Sequence, residues 1–333
     1  MRLNKNIKII LKYFVAPLLA AWLFYSLYTQ VKNQPHLSES LQLIRDAPFG
    51  KHGWKFWTAV VLVAFNWGLE AVKWQYLAAP IEKIGLFKAL KSVLSGVTLS
   101  LNTPNRVGEY GGRILYLKEG TRLKAISLSI AGSISQLIVT LIMGCLGLAY
   151  LLLFVLQPDG SLMGLSYFWI EVLFIISVTV AFLLILFFFR MAWLIRLVEM
   201  IPQARRLVPY IEVLGHFDTK ILLRLLLISF FRYSVFVIQY ILLWQALQIT
   251  IPWNIGIWLV SVLFLVMAAV PSFAIADLGI RGQFSVALLG LFSENTIGII
   301  GATFGIWILN LFLPAVAGSL AILSVKFFKD NKD

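Results

Sequence analysis

Leu86–Leu117 reads LFKALKSVLSGVTLSLNTPNRVGEYGGRILYL. It begins as an apolar helix, breaks at Asn102-Thr103-Pro104-Asn105-Arg106, and resumes after Gly108. Proline stops a helix because it lacks the amide hydrogen and clashes with the preceding turn, and glycine lets the chain reverse. Crossing about 30 Å of hydrocarbon takes about 20 apolar residues. Each half here has only about 11–17 residues, too few to cross alone. A second stretch repeats the pattern: Ile255–Val270 is apolar, stops at Pro271, passes through SFAIADLGIRG (272–282), and resumes as QFSVALLGLF (283–292). The sequence therefore predicts two re-entrant helical hairpins. Full crossings by both segments are the alternative.

Around these breaks lie six uninterrupted apolar runs, roughly 8–28, 56–78, 124–156, 167–190, 221–248 and 297–326. The expected fold is an all-α polytopic membrane protein with six transmembrane helices plus two hairpins, or eight transmembrane helices in the alternative. Composition agrees. The 333 residues are 60% apolar and 13% charged, with a mean hydropathy of +0.88. Soluble domains hold about 45–50% apolar and about 25% charged residues. One cysteine, Cys145, excludes an intramolecular disulfide and a thiolate metal cluster. His36, His52 and His216 lie far apart, and the phosphate-loop, dinucleotide and nucleophile-elbow motifs are absent. No catalytic residue, metal or cofactor is expected. Arg2, Lys5, Lys8 and Lys12 precede a run too long for a signal peptide's apolar core, so 8–28 reads as a retained first span.

With 28 basic against 15 acidic residues, the net charge is +13. On a soluble chain this would point to nucleic acid; here it reports topology. Twenty-one of the 28 fall at the N-terminus, between Lys83 and Lys124, between Arg190 and Arg224, and at the C-terminus. The positive-inside rule places those regions, and both termini, in the cytoplasm. Six spans satisfy it only if the first hairpin enters from the cytoplasm and the second from outside. The second half of the chain then repeats the first upside down: one transmembrane domain over 1–333, with pseudo-repeats 7–156 and 167–327. The hairpin prolines, Pro104 and Pro271, are 167 residues apart, about half the chain. Interrupted segments at matching places in inverted halves point to a transporter's binding site.

Charge inside a span is costly and is kept paired or in use. Glu70 and Lys73, three apart, can pair on one helix face. Arg232 sits mid-span with no acid of its own helix in reach, so something elsewhere must neutralise it. The hairpin tips add Arg106, Glu109 and Arg113 in one and Asp277 and Arg281 in the other, with Gly108 and Gly279 permitting the breaks. Guanidinium forks stay charged and match phosphate oxygens two at a time. Arg106, Glu109, Arg113, Arg232, Asp277 and Arg281 are the candidate substrate-binding residues, supported by Glu70, Lys73, Gly108 and Gly279. A structural use of the same charges, pinning broken helices, is the competing reading. Ser133, Gln136 and Asn310 read as interhelical hydrogen-bond formers. Arg190, Arg196, Arg205 and Arg206 read as topology and anionic-headgroup contacts.

The stretch NTPNRVGEYGGRILYL (102–117) resembles the proline, arginine, Gly-Glu, arginine signature of the lysylphosphatidylglycerol synthase transmembrane region, also called the flippase-like domain family. VPSFAIADLGIRG (270–282) resembles its second signature, which usually has a Gly-Gly pair, a further Gly and a Glu. Here Ala276-Asp277 replace the pair, Gly279 remains, and Gly282 stands at the Glu position; Asp277 is read as the displaced negative charge. The resemblance spans essentially the whole chain. It implies a lipid translocase in the bacterial cytoplasmic membrane, with Arg106, Gly108, Glu109 and Arg113 at the first motif's positions. These 333 residues hold no soluble aminoacyl-transfer segment, so lysyl transfer to phosphatidylglycerol is not expected of them alone.

The expected function is translocation of an anionic or glycosylated lipid by alternating access, with membrane lipids, and a lipid- or glycan-modifying enzyme, as partners. An ion-coupled exporter of a small anion and a non-transporting partner subunit of such an enzyme are the alternatives. An intramembrane lipid-phosphate transferase is disfavoured, because no acid–base constellation with His or Cys accompanies the arginines.

Overall fold

A computed structural model describes residues 42, 45–101, 103, 106–162, 164–270 and 274–323, and for 194, 274–277 and 323 the backbone alone. The expected span at 8–28, the break residues Asn102, Pro104 and Asn105, and the Asp277 side chain lie outside the described residues. The protein is helical: α1 (Gly53–Ala78), α2 (Leu86–Leu101), α3 (Gly108–Ile114), α4 (Arg122–Phe154), α5 (Tyr167–Phe189), α6 (Met191–Met200), α7 (Thr219–Ala246), α8 (Trp253–Ala269), α9 (Ala274–Leu289), α10 (Thr296–Trp307) and α11 (Leu313–Leu323). A π-helical turn, Ile308–Phe312, joins the last two. Gly53–Ala78, Glu119–Phe154, Tyr167–Phe189, Thr219–Ala246 and Thr296–Ile322 are long and apolar enough to cross a membrane. α5 shows why lipid must be the solvent: only 11% of its most apolar stretch is buried within the protein, and Phe168, Trp169, Ile175 and Phe182 lie open. No soluble surface sustains an apolar face of that size. This is a multi-pass membrane protein.

The basic region after α5, which the sequence assigns no span, contains a helix. α6 leaves Trp193, Leu197 and Met200 exposed, with the Arg190 guanidinium over the Trp193 ring at 5.3 Å. Apolar residues recurring every three to four positions favour a helix wherever one apolar face can be covered. The 157–166 loop closes as a two-residue β ladder, Ser161–Leu162 against Leu165–Ser166, around Gly164 at φ +79°.

The chain resolves into two compact units. One comprises Met1–Val61, Met143–Val172 and Val237–Leu309, and the other Leu62–Ile142, Leu173–Phe236 and Asn310–Asp333. Each holds one of the broken segments. In the second of these units, α2 and α3 run antiparallel, with Gly112 against Gly96 and Gly108 against Leu99; Ser92 Oγ also donates to the Arg113 carbonyl at 2.6 Å, and Ser95 Oγ lies 3.0 Å from Tyr116 Oη. Closer to the tip, a Cβ on Gly112 would lie 2.3 Å from the Gly96 nitrogen, and one on Gly108 would lie 2.2 Å from the Leu99 carbonyl oxygen. Only glycine allows that approach, the usual basis of close helix pairing in membranes. At 1.5 Å per residue α2 is about 24 Å long and α3 about 10 Å, so the chain turns back on itself. α11 closes on the other side of α2, where Thr98 Oγ1 donates to the Ala315 carbonyl at 2.7 Å.

In the other unit, α8 and α9 flank the second break. Ile280 is buried against Met267, Val270 and Phe284, and Gly279 is buried beside it. α10 begins at Asn295, whose Oδ1 accepts from the Gly298 amide at 2.8 Å while its Nδ2 donates to the Leu247 carbonyl at 3.3 Å. Tyr150 stacks on Trp258, and Gln239 Nε2 donates to the Ala59 carbonyl at 2.8 Å.

Candidate functional site

Glu70, on α1, is 2% exposed, and three cations converge on its carboxylate. Lys73 Nζ lies 2.8 Å and Arg232 Nη1 2.9 Å from Oε2, while Arg113 Nη2 lies 2.7 Å from Oε1. Lys73 follows Glu70 by three residues, so α1 itself presents the first pair. Arg113 arrives because the antiparallel packing of α3 on α2 buries it. Arg232 arrives from the middle of α7. The neutralising group that Arg232 required is therefore Glu70. Arg113 also pairs with Glu109, one turn earlier on α3.

Neutral groups extend the network. Arg232 Nε donates to Asn66 Oδ1 at 2.9 Å, and Asn66 Nδ2 donates to Asn310 Oδ1 at 3.0 Å. Asn310 belongs to the π turn, an irregularity often found at functional positions. Lys73 Nζ reaches the Gly132 carbonyl at 3.4 Å. The guanidiniums also lie over aromatic faces: Arg232 over Trp67 at 5.1 Å, and Arg113 over Trp74 at 5.5 Å. Such contacts stabilise cations that have lost water. Arg113 Nε and Nη1 are nevertheless buried with no hydrogen-bond partner among the described residues.

A cavity of about 360 Å³ opens beside this cluster, within the same unit. Glu70, Lys73, Arg106, Glu109, Arg113 and Arg232 all line it, so six of the ten residues singled out in the sequence meet at one place. Arg106 is exposed and takes φ +56°, a left-handed conformation that costs a non-glycine residue energy and is concentrated at functional sites. Gly108 starts α3, and its amide donates to Thr103 Oγ1 at 2.7 Å. Arg281 and Gly279 belong to the other unit, where Arg281 Nη1 donates to the Tyr240 hydroxyl at 3.0 Å.

Sequence reasoning passed over several wall residues. Ser100, Tyr110 and Thr140 line the cavity, as do Ser133 and Gln136. Gln136 Nε2 does reach across to the Ser229 carbonyl of α7, at 3.4 Å, as expected. Ser133 instead bonds within its own helix, to the Ser129 carbonyl at 3.2 Å. The available signal was the spacing of Ser133, Gln136 and Thr140, which puts three polar groups on one face of an otherwise apolar helix.

Burying one carboxylate and three cations is expensive, and such clusters seldom add net stability. Ionisable groups gathered inside a membrane segment mark a candidate functional site. The family model for the lysylphosphatidylglycerol synthase TM region matches residues 9–319. The chain belongs to that family. The match covers both broken segments and every residue of the cluster. No curated protein matches the chain.

Proposed function

We propose that this member of the lysylphosphatidylglycerol synthase TM region family is a lipid translocase. It moves an anionic or glycosylated lipid across the bacterial cytoplasmic membrane, with both termini in the cytoplasm. The observation that carries the reading is the cavity where Lys73, Arg113 and Arg232 share one carboxylate while Arg106 stands on the wall. Against Glu70 and Glu109, the cationic side chains are in excess. A phosphate entering the cavity would find guanidinium donors already desolvated and pre-positioned, the arrangement that binds such an anion most strongly. Glu70 holds those donors together in the empty state and gives way as the phosphate takes over part of its contacts.

The family match and the five apolar helices support a membrane role. The placement of basic residues supports cytoplasmic termini, and the matching break positions support two inverted halves, each with a re-entrant hairpin, that move in alternation. Arg281, with Asp277, would then act in the second half, and Gly279 would permit its break. A lipid- or glycan-modifying enzyme is the natural neighbour, supplying or consuming the lipid.

The test is headgroup flipping in vesicles. A fluorescent phosphatidylglycerol analogue in the inner leaflet should become accessible to an external quencher faster when the protein is reconstituted. Arg106→Gln with Arg232→Lys should slow that exchange at least tenfold. Unchanged exchange in the double variant, or no acceleration by the native protein over empty vesicles, would sink the proposal.

A further inference from the structure

α6 has two apolar faces. Met191, Ile195 and Val198 recur at helical spacing and face the protein. Met191 is buried, the other two are half-buried, and a Cβ on Gly215 would lie 3.3 Å from Ile195 Cδ1. Trp193, Leu197 and Met200 recur at the same spacing on the far side, and all three are exposed, Met200 by 76%. Arg196 and Glu199, also exposed, lie on a flank between the two faces. A helix that packs on a soluble protein turns its polar face outward. α6 instead turns out a second apolar face, and Ile201 and Leu207 beyond it are exposed as well.

Position and charge say what covers that face. α5 has 23 residues, about 34 Å at 1.5 Å per residue, enough to cross about 30 Å of hydrocarbon. It ends at Phe189, and Arg190, at φ −120° and ψ 50°, breaks the helix before α6 starts at Met191. α6 therefore begins where the span leaves the hydrocarbon, and its ten residues, about 15 Å, are too few to cross back. Leu186 and Phe187 keep the end of α5 lipid-facing up to that junction. Just beyond it the Arg190 guanidinium lies over Trp193, two side chains that suit the headgroup level. From 190 to 207 the chain carries Arg190, Arg196, Arg205 and Arg206 against the single acid Glu199, and Arg205 Nε donates to the Glu199 carbonyl at 2.8 Å. Like charge opposes a second copy of this segment, whereas an anionic surface complements it.

We infer that α6 lies in the membrane interface as an anchor, its outer face among the acyl chains of the cytoplasmic leaflet and its arginines on anionic phospholipid headgroups. It fixes the depth of α5, a span that the protein itself barely holds, since only 11% of its most apolar stretch is buried. Nothing in this anchor depends on what the cavity carries.

The test is spin-label accessibility in the full chain, reconstituted in nanodiscs of phosphatidylglycerol and phosphatidylcholine. Cys145→Ala removes the one native thiol, which can also stay in place if its burial keeps it unlabelled. Arg196→Cys, Leu197→Cys, Glu199→Cys and Met200→Cys then carry the label one at a time. Labels at 197 and 200 should collide with oxygen, which concentrates among acyl chains, about threefold or more in preference to a water-soluble nickel complex. Labels at 196 and 199 should reverse that preference. Preference for nickel at all four positions means that water covers the outer face, and overturns the anchor. Exclusion of both reagents at 197 and 200 means that a protein covers it, which overturns the anchor equally; dipolar broadening between labels would identify that protein as a second copy. Arg196→Gln with Arg206→Gln tests the charge, read at the 197 label. The oxygen preference should fall about twofold or more in discs containing phosphatidylglycerol and stay unchanged in discs of phosphatidylcholine alone. An equal fall in both, or no fall in either, overturns the anionic headgroup as the arginines' partner.

Discussion

In the first broken segment, α2 and α3 meet through Ser92, Gly96 and Gly112, and the return helix delivers Arg113 into a buried ionic cluster. In the second, α8 and α9 meet through Met267, Val270, Ile280 and Phe284, and Arg281 of α9 donates to a tyrosine hydroxyl. Both are helix–break–helix segments flanking a proline, yet among the described residues the first meets through small and polar groups and the second through apolar ones. Glycine and serine allow backbone-to-backbone contact, which holds a short helix such as α3 in one register. Large apolar side chains keep the axes apart and tolerate small shifts. The first segment is thus built for placing charge accurately. That is consistent with the cavity's lying beside it, within one unit.

The comparison is most easily broken at Glu70. Glu70→Gln leaves Lys73, Arg113 and Arg232 buried without their shared counter-charge, and removing one member of such a group costs about 3–5 kcal/mol. Ile280→Val in the other unit should cost about 0.5–1.5 kcal/mol, the scale of one buried methyl group. Thermal unfolding in detergent would measure both, and equal losses would erase the distinction between the segments.

Gly112→Ala comes next. Its Cβ would meet the Gly96 backbone at 2.3 Å, so the hairpin must shift, at a cost of about 1–3 kcal/mol. Gly256→Ala, where the nearest atoms are side-chain atoms of Ile241 and Trp244 at 3.3 Å, should cost less than half as much. A reversed order would show that backbone contact does not hold the first hairpin.

A double variant sharpens the account of the charges. Lys73→Met added to Glu70→Gln removes one of the three stranded cations and should recover about 1 kcal/mol or more relative to Glu70→Gln alone, as coupled neighbours do. Strict additivity of the two changes would mean that Lys73 and Glu70 act independently despite their 2.8 Å contact.

The smallest effect concerns the base of the first hairpin. Glu82 accepts from the Lys118 amide at 3.0 Å and pairs with Lys88 at 2.7 Å. Burial pulls its carboxyl upward, but these two contacts outweigh burial and hold it below the usual value. A depressed carboxyl stabilises the fold fully above its unfolded value, about pH 4.3, and that contribution disappears as the pH falls through the lowered folded value. Glu82→Gln should therefore unfold at a lower temperature than the native protein at neutral pH, by the equivalent of about 1 kcal/mol. The gap should close in strong acid. A gap that widened in acid would assign the wrong sign to Glu82.

Much of this was legible in the chain itself. Runs of 20 or more apolar residues have no soluble solution, so the polytopic helical class followed from composition and spacing. The breaks at Pro104 and Pro271 were legible because proline and glycine act locally. So was the Glu70–Lys73 pair, since three residues make most of a helical turn. Arg232 could be seen to need a partner, but its partner could not be named. Glu70 is 162 residues away, and no local rule reaches that far. The helix at 191–200 was missed because ten residues are too few to read as a span.

The sequence by itself determined which segments are apolar helices, where two of them break, and which ionisable residues lie among them. Each of those depends on neighbours within a turn or two. Tertiary structure alone decided that the carboxylate of Glu70 also serves Arg113 and Arg232, and that a cavity is left beside them. Those are matters of distance between elements far apart in the chain, set by how closely Gly96 and Gly112 let the backbones pack.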